Sequence, residues 1–137
     1  MRTRFVLDSY ALIGYLENES FAERIQHLLT RARRGALRLY VHAIQIGEVY
    51  YITLREQGES VAHLAYARIK GFPIKVIHHI DEELLLAVAR LKAKYPISYA
   101  DAFASALATI YNCPLLTGDP ELKSLEKERV IQIEWLV

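Results

Sequence analysis

Short apolar runs alternate with longer stretches of helical periodicity along the chain. Residues 5–7 are apolar, and this run ends at Asp8. The next apolar positions, Leu12, Ile13 and Leu16, fall at the spacing of one helix face, which predicts a strand followed by a helix. By the same criteria we predict further strands over residues 37–41, 74–77, 114–116 and 130–137, and further helices beginning near residues 20, 43, 59, 81 and 98.

This alternation of strands and helices is typical of α/β proteins. We predict three layers: a central, mainly parallel sheet of four or five strands with helices on both faces. The chain has 137 residues, of which 53% are hydrophobic, and this is enough to supply one core. No internal repeat, low-complexity tract or linker divides the sequence, so we expect a single domain over residues 1–137.

Charge and cysteine content exclude few functions. Lys and Arg number 17 and Asp and Glu number 16, so the formal net charge of +1 argues neither for nor against nucleic-acid binding. The single cysteine, Cys113, cannot form an internal disulfide, which fits a reducing compartment. Residues 1–4 lack the apolar stretch of a signal peptide, and no apolar run is long enough to span a membrane. We expect a cytoplasmic protein with no membrane association.

Four acidic residues stand at or near the starts of predicted helices: Asp8, Glu48, Asp101 and Asp119. Three of them have an ordinary structural explanation. Asp8 and Asp119 occupy good N-cap positions, and Asp101 follows Ser98 at the spacing of a capping box. Glu48 is harder to explain, because its helical neighbours place it at or beside an apolar stripe and acids are rarely buried unless paired or bound to a cation.

The positions of these acids relative to the strands suggest that they share one pocket. Asp8 and Asp119 each follow an apolar strand, and ligands of open parallel sheets bind at the carboxyl ends of the strands. If Glu48 and Asp101 converge there, four carboxylates repel one another unless cations neutralise them. Because ligands that are all oxygen suit Mg²⁺ or Mn²⁺ rather than zinc, the acids predict a divalent-metal site.

Other familiar motifs are not found in the sequence. His78 and His79 are adjacent, and adjacent residues of a strand point to opposite faces, so they cannot readily bind one ion. The glycines form neither a phosphate-binding loop nor a dinucleotide fingerprint. We therefore expect no nucleotide cofactor.

Four segments that contain the acids resemble the motifs of PIN-domain ribonucleases, and especially of the VapC-type toxins of type II toxin–antitoxin pairs. These segments are residues 5–13, 46–50, 98–102 and 115–119. Each motif is short, but four in order at appropriate separations make a strong combined signal, and the match covers nearly the whole chain. Tyr10 stands where the family often has a small residue and Leu122 where it often has phenylalanine, and neither change removes an acid.

The resemblance implies a three-layer PIN-like fold and metal-dependent hydrolysis of RNA phosphodiester bonds. It implies that Mg²⁺ or Mn²⁺ is held, directly or through water, by the four acids: Asp8, Glu48, Asp101 and Asp119. We assign Ser9 and Thr117 as hydroxyls that support the ligands or position water. The resemblance also implies an RNA substrate, a small antitoxin that covers the acidic groove, and a homodimer.

Two alternatives stay open on the sequence. One keeps the nuclease activity but assigns it to a stand-alone RNA-processing or quality-control enzyme with no antitoxin. The other interprets the acids as structural caps of a catalytically inactive domain that binds RNA or protein, because three of the four acids occupy good capping positions.

Overall fold

The structure of the protein, a computed structural model, describes residues 3–136. Its centre is a five-stranded sheet in the order β3-β2-β1-β4-β5. Every neighbouring pair of strands is parallel, so the predicted α/β class with a parallel sheet is confirmed. The strands are β1 (Thr3–Leu7), β2 (Leu37–His42), β3 (Lys75–Ile77), β4 (Leu115–Thr117) and β5 (Ile133–Trp135).

Helices connect these strands. They are α1 (Ser9–Leu16), α2 (Ala22–Arg33), α3 (Ala43–Gln57), α4 (Glu59–Lys70), α5 (Glu82–Lys94), α6 (Tyr99–Ile110) and α7 (Lys123–Lys127), with a short 3₁₀ helix at Pro120–Leu122. The longest of them, α3, has 15 residues. Within residues 3–136, no helix combines the length and the apolar character needed to cross a membrane.

Alternate residues of the central strands pack against different helix layers. Val6 and Leu115 belong to the apolar cluster that also contains buried residues of α5 and α6. Their neighbours Leu7 and Leu116 belong to a second cluster with α1 and α2 on the other face. Because side chains of a strand point alternately to its two faces, these strands are covered on both sides. The predicted three-layer arrangement is therefore confirmed.

The path of the chain through the sheet changes direction at the central strand, β1. From β1 the chain passes to β2 and β3 on one side, and it then reaches β4 on the other side of β1. In open parallel sheets, such a change of direction leaves a binding crevice at the carboxyl ends of the two strands that flank it. In this chain those ends are followed by Asp8 after β1 and by Gly118 and Asp119 after β4.

The last strand is shorter than predicted. The apolar residues 130–137 predict one strand, but β5 covers only Ile133–Trp135. Val130 instead donates its backbone N–H to the carbonyl of Leu125 at 2.9 Å, which closes the end of α7, and Arg129 before it has a left-handed backbone with φ of 60°. The predicted strand also includes Val137, which lies outside the described residues, as do residues 1 and 2.

Candidate metal centre

Asp8 lies where β1 meets α1, and it is the N-cap of that helix. Its Oδ1 accepts the backbone N–H of Ala11 at 2.9 Å, and its Oδ2 accepts the hydroxyl of Thr117. The side chain is almost completely buried, with 2% of its surface exposed. The capping role expected for Asp8 is therefore present, but an N-cap does not need burial of this degree, because caps usually lie at the surface of a helix end.

Thr117, the last residue of β4, connects Asp8 to the segment that carries Asp119. Its hydroxyl donates to Asp8 and accepts the backbone N–H of Asp119 at 3.0 Å. Asp119 Oδ1 in turn accepts the backbone N–H of Glu121 at 2.9 Å and caps the short 3₁₀ helix. One buried hydroxyl thus connects the two acidic residues that follow β1 and β4.

Asp101 enters the same region from the first turn of α6. Its backbone N–H donates to Ser98 Oγ at 3.0 Å, which is one half of the predicted capping box. Among the described residues, the return bond from the Ser98 N–H to the Asp101 carboxylate is not formed. Only 8% of Asp101 is exposed, and its carboxylate lies close to those of Asp119 and Glu121: one oxygen of each lies within 4.8 Å of the others. The small residues Ala104 and Ala108, one and two turns further along α6, are buried against the core and let this helix approach the sheet closely.

Glu121 is a member of this group that the sequence analysis missed. It is exposed and lies two residues after Asp119, in the 3₁₀ helix that Pro120 opens. Its position in the sequence is equally typical of an acid in the first turn of a helix, so it was not among the predicted site residues. The signal that was present is the spacing Asp-Pro-Glu, because a tight turn after Asp119 brings a side chain two positions later back to the same side.

Glu48 lies at the edge of the cluster. It is half-buried on α3, one turn after Gln45, which is fully buried, whereas Ile44 and Tyr51 on either side are exposed. The charge of Glu48 contributes to the raised pKa values of both Asp8 and Asp101, so it faces the same region. The hydroxyl of Ser9, also buried, donates to the backbone carbonyl of Gln45 at 3.5 Å and connects α1 to α3.

Burial and the charges of neighbouring acids favour the protonated form of two carboxyl groups of the cluster, those of Asp8 and Asp101. Burial raises the pKa of Asp8 to about 7, although the hydrogen bonds from Thr117 and Ala11 oppose the rise, and the charges of Asp119 and Glu48 add to it. The pKa of Asp101 is raised to about 8, chiefly by burial, next by the neighbouring carboxyl of Asp119, and then by the charges of Asp8 and Glu48. A cation that neutralises the cluster would reverse both shifts.

The donor set of this cluster fits a hard divalent cation. Every candidate ligand is a carboxylate oxygen, and no histidine or cysteine belongs to the group that the described residues form. Oxygen ligands of this kind suit Mg²⁺ or Mn²⁺. Since the carboxylates come from separate elements around one edge of the sheet, they can hold an ion at the crevice where a substrate would bind.

Comparison with known proteins identifies the family to which the chain belongs. The PIN-domain family model matches residues 5–128, a range that includes all four acids predicted from the sequence. No curated protein matches the chain.

Solved structures resemble the chain over nearly its whole length. They include VapBC2 from Rickettsia felis bound to a promoter DNA fragment (12% identity, TM-score 0.75, 96% of this chain and 98% of that one). They also include VapBC-1 from nontypeable Haemophilus influenzae (20%, 0.70, 98% and 98%). A third is VapC20 from Mycobacterium tuberculosis, described as a toxin that cleaves the sarcin-ricin loop (13%, 0.63, 88% and 93%). At these identities the likeness establishes a shared fold.

The family match and the fold agree with each other and with the resemblance drawn from the sequence. The matched range covers most of the chain, and it includes the carboxyl-terminal part of β1, the strands β2 to β4, and the acids that follow β1 and β4. The chain therefore belongs to the PIN-domain family.

Proposed function

We propose that this protein is a divalent-metal-dependent ribonuclease that hydrolyses RNA phosphodiester bonds. The observation that carries the proposal is a cluster of acids from separate elements at the carboxyl ends of β1 and β4. Asp101 and Asp119 lie close together, Thr117 connects Asp8 to the backbone of Asp119, and the pKa values of Asp8 and Asp101 are raised. Such a cluster is costly for a purely structural role, since each acid repels the others. Membership of the PIN-domain family supports the same activity.

The acids that would hold the metal fall into two groups. Asp101, Asp119 and Glu121 form the tight group whose oxygens lie within 4.8 Å of one another. Asp8 and Glu48 lie near enough to affect the others electrostatically, and they would bind directly or through water. A bound Mg²⁺ or Mn²⁺ would supply activation of water and stabilisation of the charge that develops on the phosphate.

The side chains of this protein would set the geometry of the reaction. Thr117 would hold the carboxylate of Asp8 close to the backbone of Asp119 through its two hydrogen bonds. In hydrolysis a water oxygen forms a bond to phosphorus while one phosphorus–oxygen ester bond breaks, and the leaving oxygen takes up a proton. The water provides the nucleophile, so no side chain has to bond to phosphorus.

We further propose that the enzyme is the toxin component of a toxin–antitoxin pair. The related structures are described as VapBC proteins, as a toxin–antitoxin complex, and in one case as a toxin that cleaves the sarcin-ricin loop. By analogy, a small antitoxin would cover the acidic edge, and the toxin would be a homodimer in the cytoplasm. An antitoxin reading frame beside the gene would support this role over that of a stand-alone processing enzyme.

The experiment that tests the activity compares three proteins on single-stranded RNA with Mn²⁺ or Mg²⁺, and again with EDTA. These are the wild type, Asp8→Asn, and Asp81→Asn, in which the changed residue caps α5 through the same contact, from Leu84 N at 2.9 Å. We expect cleavage by the wild type and by Asp81→Asn, loss of cleavage with EDTA, and no cleavage by Asp8→Asn. Equal cleavage by wild type and Asp8→Asn, independent of metal, would contradict the proposal.

A further inference from the structure

Gln45, on the first turn of α3, is a fully buried polar residue within the packed interior. Its Nε2 donates to the backbone carbonyl of Ala100 at 2.5 Å. Its Oε1 is also buried, and it has no hydrogen-bond partner among the described residues. The nitrogen and oxygen of the Gln45 amide can be told apart, because the carbonyl of Ala100 only accepts hydrogen bonds and so must face the NH₂ group.

The contacts of Gln45 join α3 to the first turns of α1 and α6, beside Asp8 and Asp101. Its side chain holds α6 at Ala100, the residue directly before Asp101. Its backbone carbonyl accepts the hydroxyl of Ser9, the residue directly after Asp8. Glu48 lies one helical turn further along α3. Gln45 is therefore connected, one residue or one turn away, to three of the acids.

The Gln45 oxygen without a hydrogen-bond partner lowers the stability of the fold, so packing alone does not explain a glutamine at this position. A buried carbonyl without a hydrogen bond destabilises a fold, and such atoms in natural proteins call for a reason. Among the described residues, two buried side-chain atoms lack a partner: Gln45 Oε1 and Ser105 Oγ. They lie on α3 and α6, which carry Glu48 and Asp101. An apolar residue at position 45 would avoid the cost but lose the connection to Ala100.

We propose that Gln45 is a positioning residue that holds α3 and α6 so that Glu48 and Asp101 converge on one metal ion. This inference rests on the proposed metal-dependent nuclease function. Gln45 acts through the two helices and does not itself touch the metal or the substrate. Residues that orient metal ligands in this way typically change metal affinity or activity by about 10- to 100-fold when they are replaced.

The test uses Gln45→Met, which keeps the length of the side chain and removes the amide. Its matched control is Gln57→Met on the same helix, because Gln57 also donates through Nε2 to a neighbouring segment, to Glu17 Oε1 at 3.1 Å, but at the surface. For each protein we would measure the thermal unfolding temperature, the affinity for Mn²⁺ by calorimetry, and kcat and KM for RNA cleavage. Gln45→Asn, whose amide is one methylene too short to reach Ala100, provides a second variant if the methionine variant does not fold.

We expect Gln45→Met to bind Mn²⁺ about 10-fold or more weakly and to show lower kcat with little change in KM, while its unfolding temperature stays equal or rises. The rise follows because the unpartnered oxygen is removed with the amide. Gln57→Met should match the wild type in metal affinity and kcat. A purely structural role does not produce weaker metal binding and a lower kcat without a lower unfolding temperature.

Two results would overturn the inference while leaving the nuclease intact. One is a wild-type enzyme that cleaves RNA and a Gln45→Met variant with the same Mn²⁺ affinity and kcat. The other is a loss of activity in Gln45→Met or Gln45→Asn that follows a lower unfolding temperature with unchanged Mn²⁺ affinity. A wild type that neither cleaves RNA nor binds Mn²⁺ would instead refute the proposed function, and the inference would fail with it.

Discussion

Replacing Asp8 by Asn should stabilise the metal-free protein at alkaline pH, although it removes a central acid of the cluster. Asn has the same shape, and its side-chain oxygen can still accept the N–H of Ala11 that caps α1. The charge disappears, and with it the cost of burying a carboxylate near Asp119 and Glu48. A residue that was only a helix cap would give the opposite result, since its carboxylate would favour the helix start.

The magnitude follows from the pKa of Asp8, which burial raises from its ordinary value of 3.8 to about 7. Between these two values the folded state holds a proton that the unfolded state has lost, so stability is greatest at low pH and falls as the pH rises through the folded pKa. From pH 5 to pH 8 the wild type should lose roughly 2.5 kcal/mol through Asp8 alone, because the loss of about 1.4 kcal/mol per pH unit ends near the folded pKa of about 7. Asp8→Asn lacks this loss.

The assay is thermal unfolding, followed by circular dichroism in EDTA, at pH 5 and pH 8. For a domain of this size, roughly 2.5 kcal/mol corresponds to about 10 °C in unfolding temperature. The unfolding temperature of the variant minus that of the wild type should therefore be about 10 °C larger at pH 8 than at pH 5. Any cost of altering the hydrogen bond with Thr117 enters at both pH values, so it largely cancels in this difference.

Asp81→Asn is the control, because Asp81 caps α5 through an equivalent contact and lies at the surface. Its unfolding temperature relative to wild type should differ little between the two pH values. If Asp8→Asn shows no greater gain at pH 8 than Asp81→Asn does, the reasoning about a strained acidic cluster is wrong.

Two further predictions concern the residues around the cluster. Thr117→Val removes the hydroxyl that joins Asp8 to the N–H of Asp119, so we expect kcat for RNA cleavage to fall about 10- to 100-fold. Thr117→Ser keeps the hydroxyl and should retain most of the activity. Equal rates for the two variants would contradict the role of the hydroxyl. Glu121→Gln removes one of the three closest carboxylates and should weaken Mn²⁺ binding in calorimetry by about 10-fold, or about 1.4 kcal/mol; unchanged binding would exclude Glu121 as a ligand.

The sheet and part of the cluster could be predicted because they depend on local pattern. The apolar runs before Asp8 and Asp119 mark strands, and parallel strands bring their carboxyl ends to one edge. The order of the sheet adds what the pattern alone does not contain: β1 and β4 are neighbours although more than 100 residues separate them. This pairing allows Thr117 to reach Asp8.

Other features could not be predicted because they depend on three-dimensional contacts. Glu121 belongs to the cluster through the turn that follows Asp119, and its sequence position alone is equally typical of a helix start. In the sequence, Gln45 is one polar residue among apolar neighbours, and nothing there indicates that its side chain binds the carbonyl of Ala100, which belongs to a distant segment. The predicted start of the fifth strand at residue 130 was wrong because the backbone N–H of Val130 closes the end of α7, a contact that apolar character does not reveal.

Titration of the protein with Mn²⁺ by calorimetry, in the wild type and in Glu48→Gln, tests the central claim most directly. Glu48 lies on α3, apart from the tight group of Asp101, Asp119 and Glu121, and it has the weakest structural explanation among the four predicted acids. We predict saturable binding by the wild type and at least about 10-fold weaker binding by Glu48→Gln, with an unchanged fold. Equal affinity in the two proteins, or no binding by the wild type, would contradict a single metal centre built from these acids.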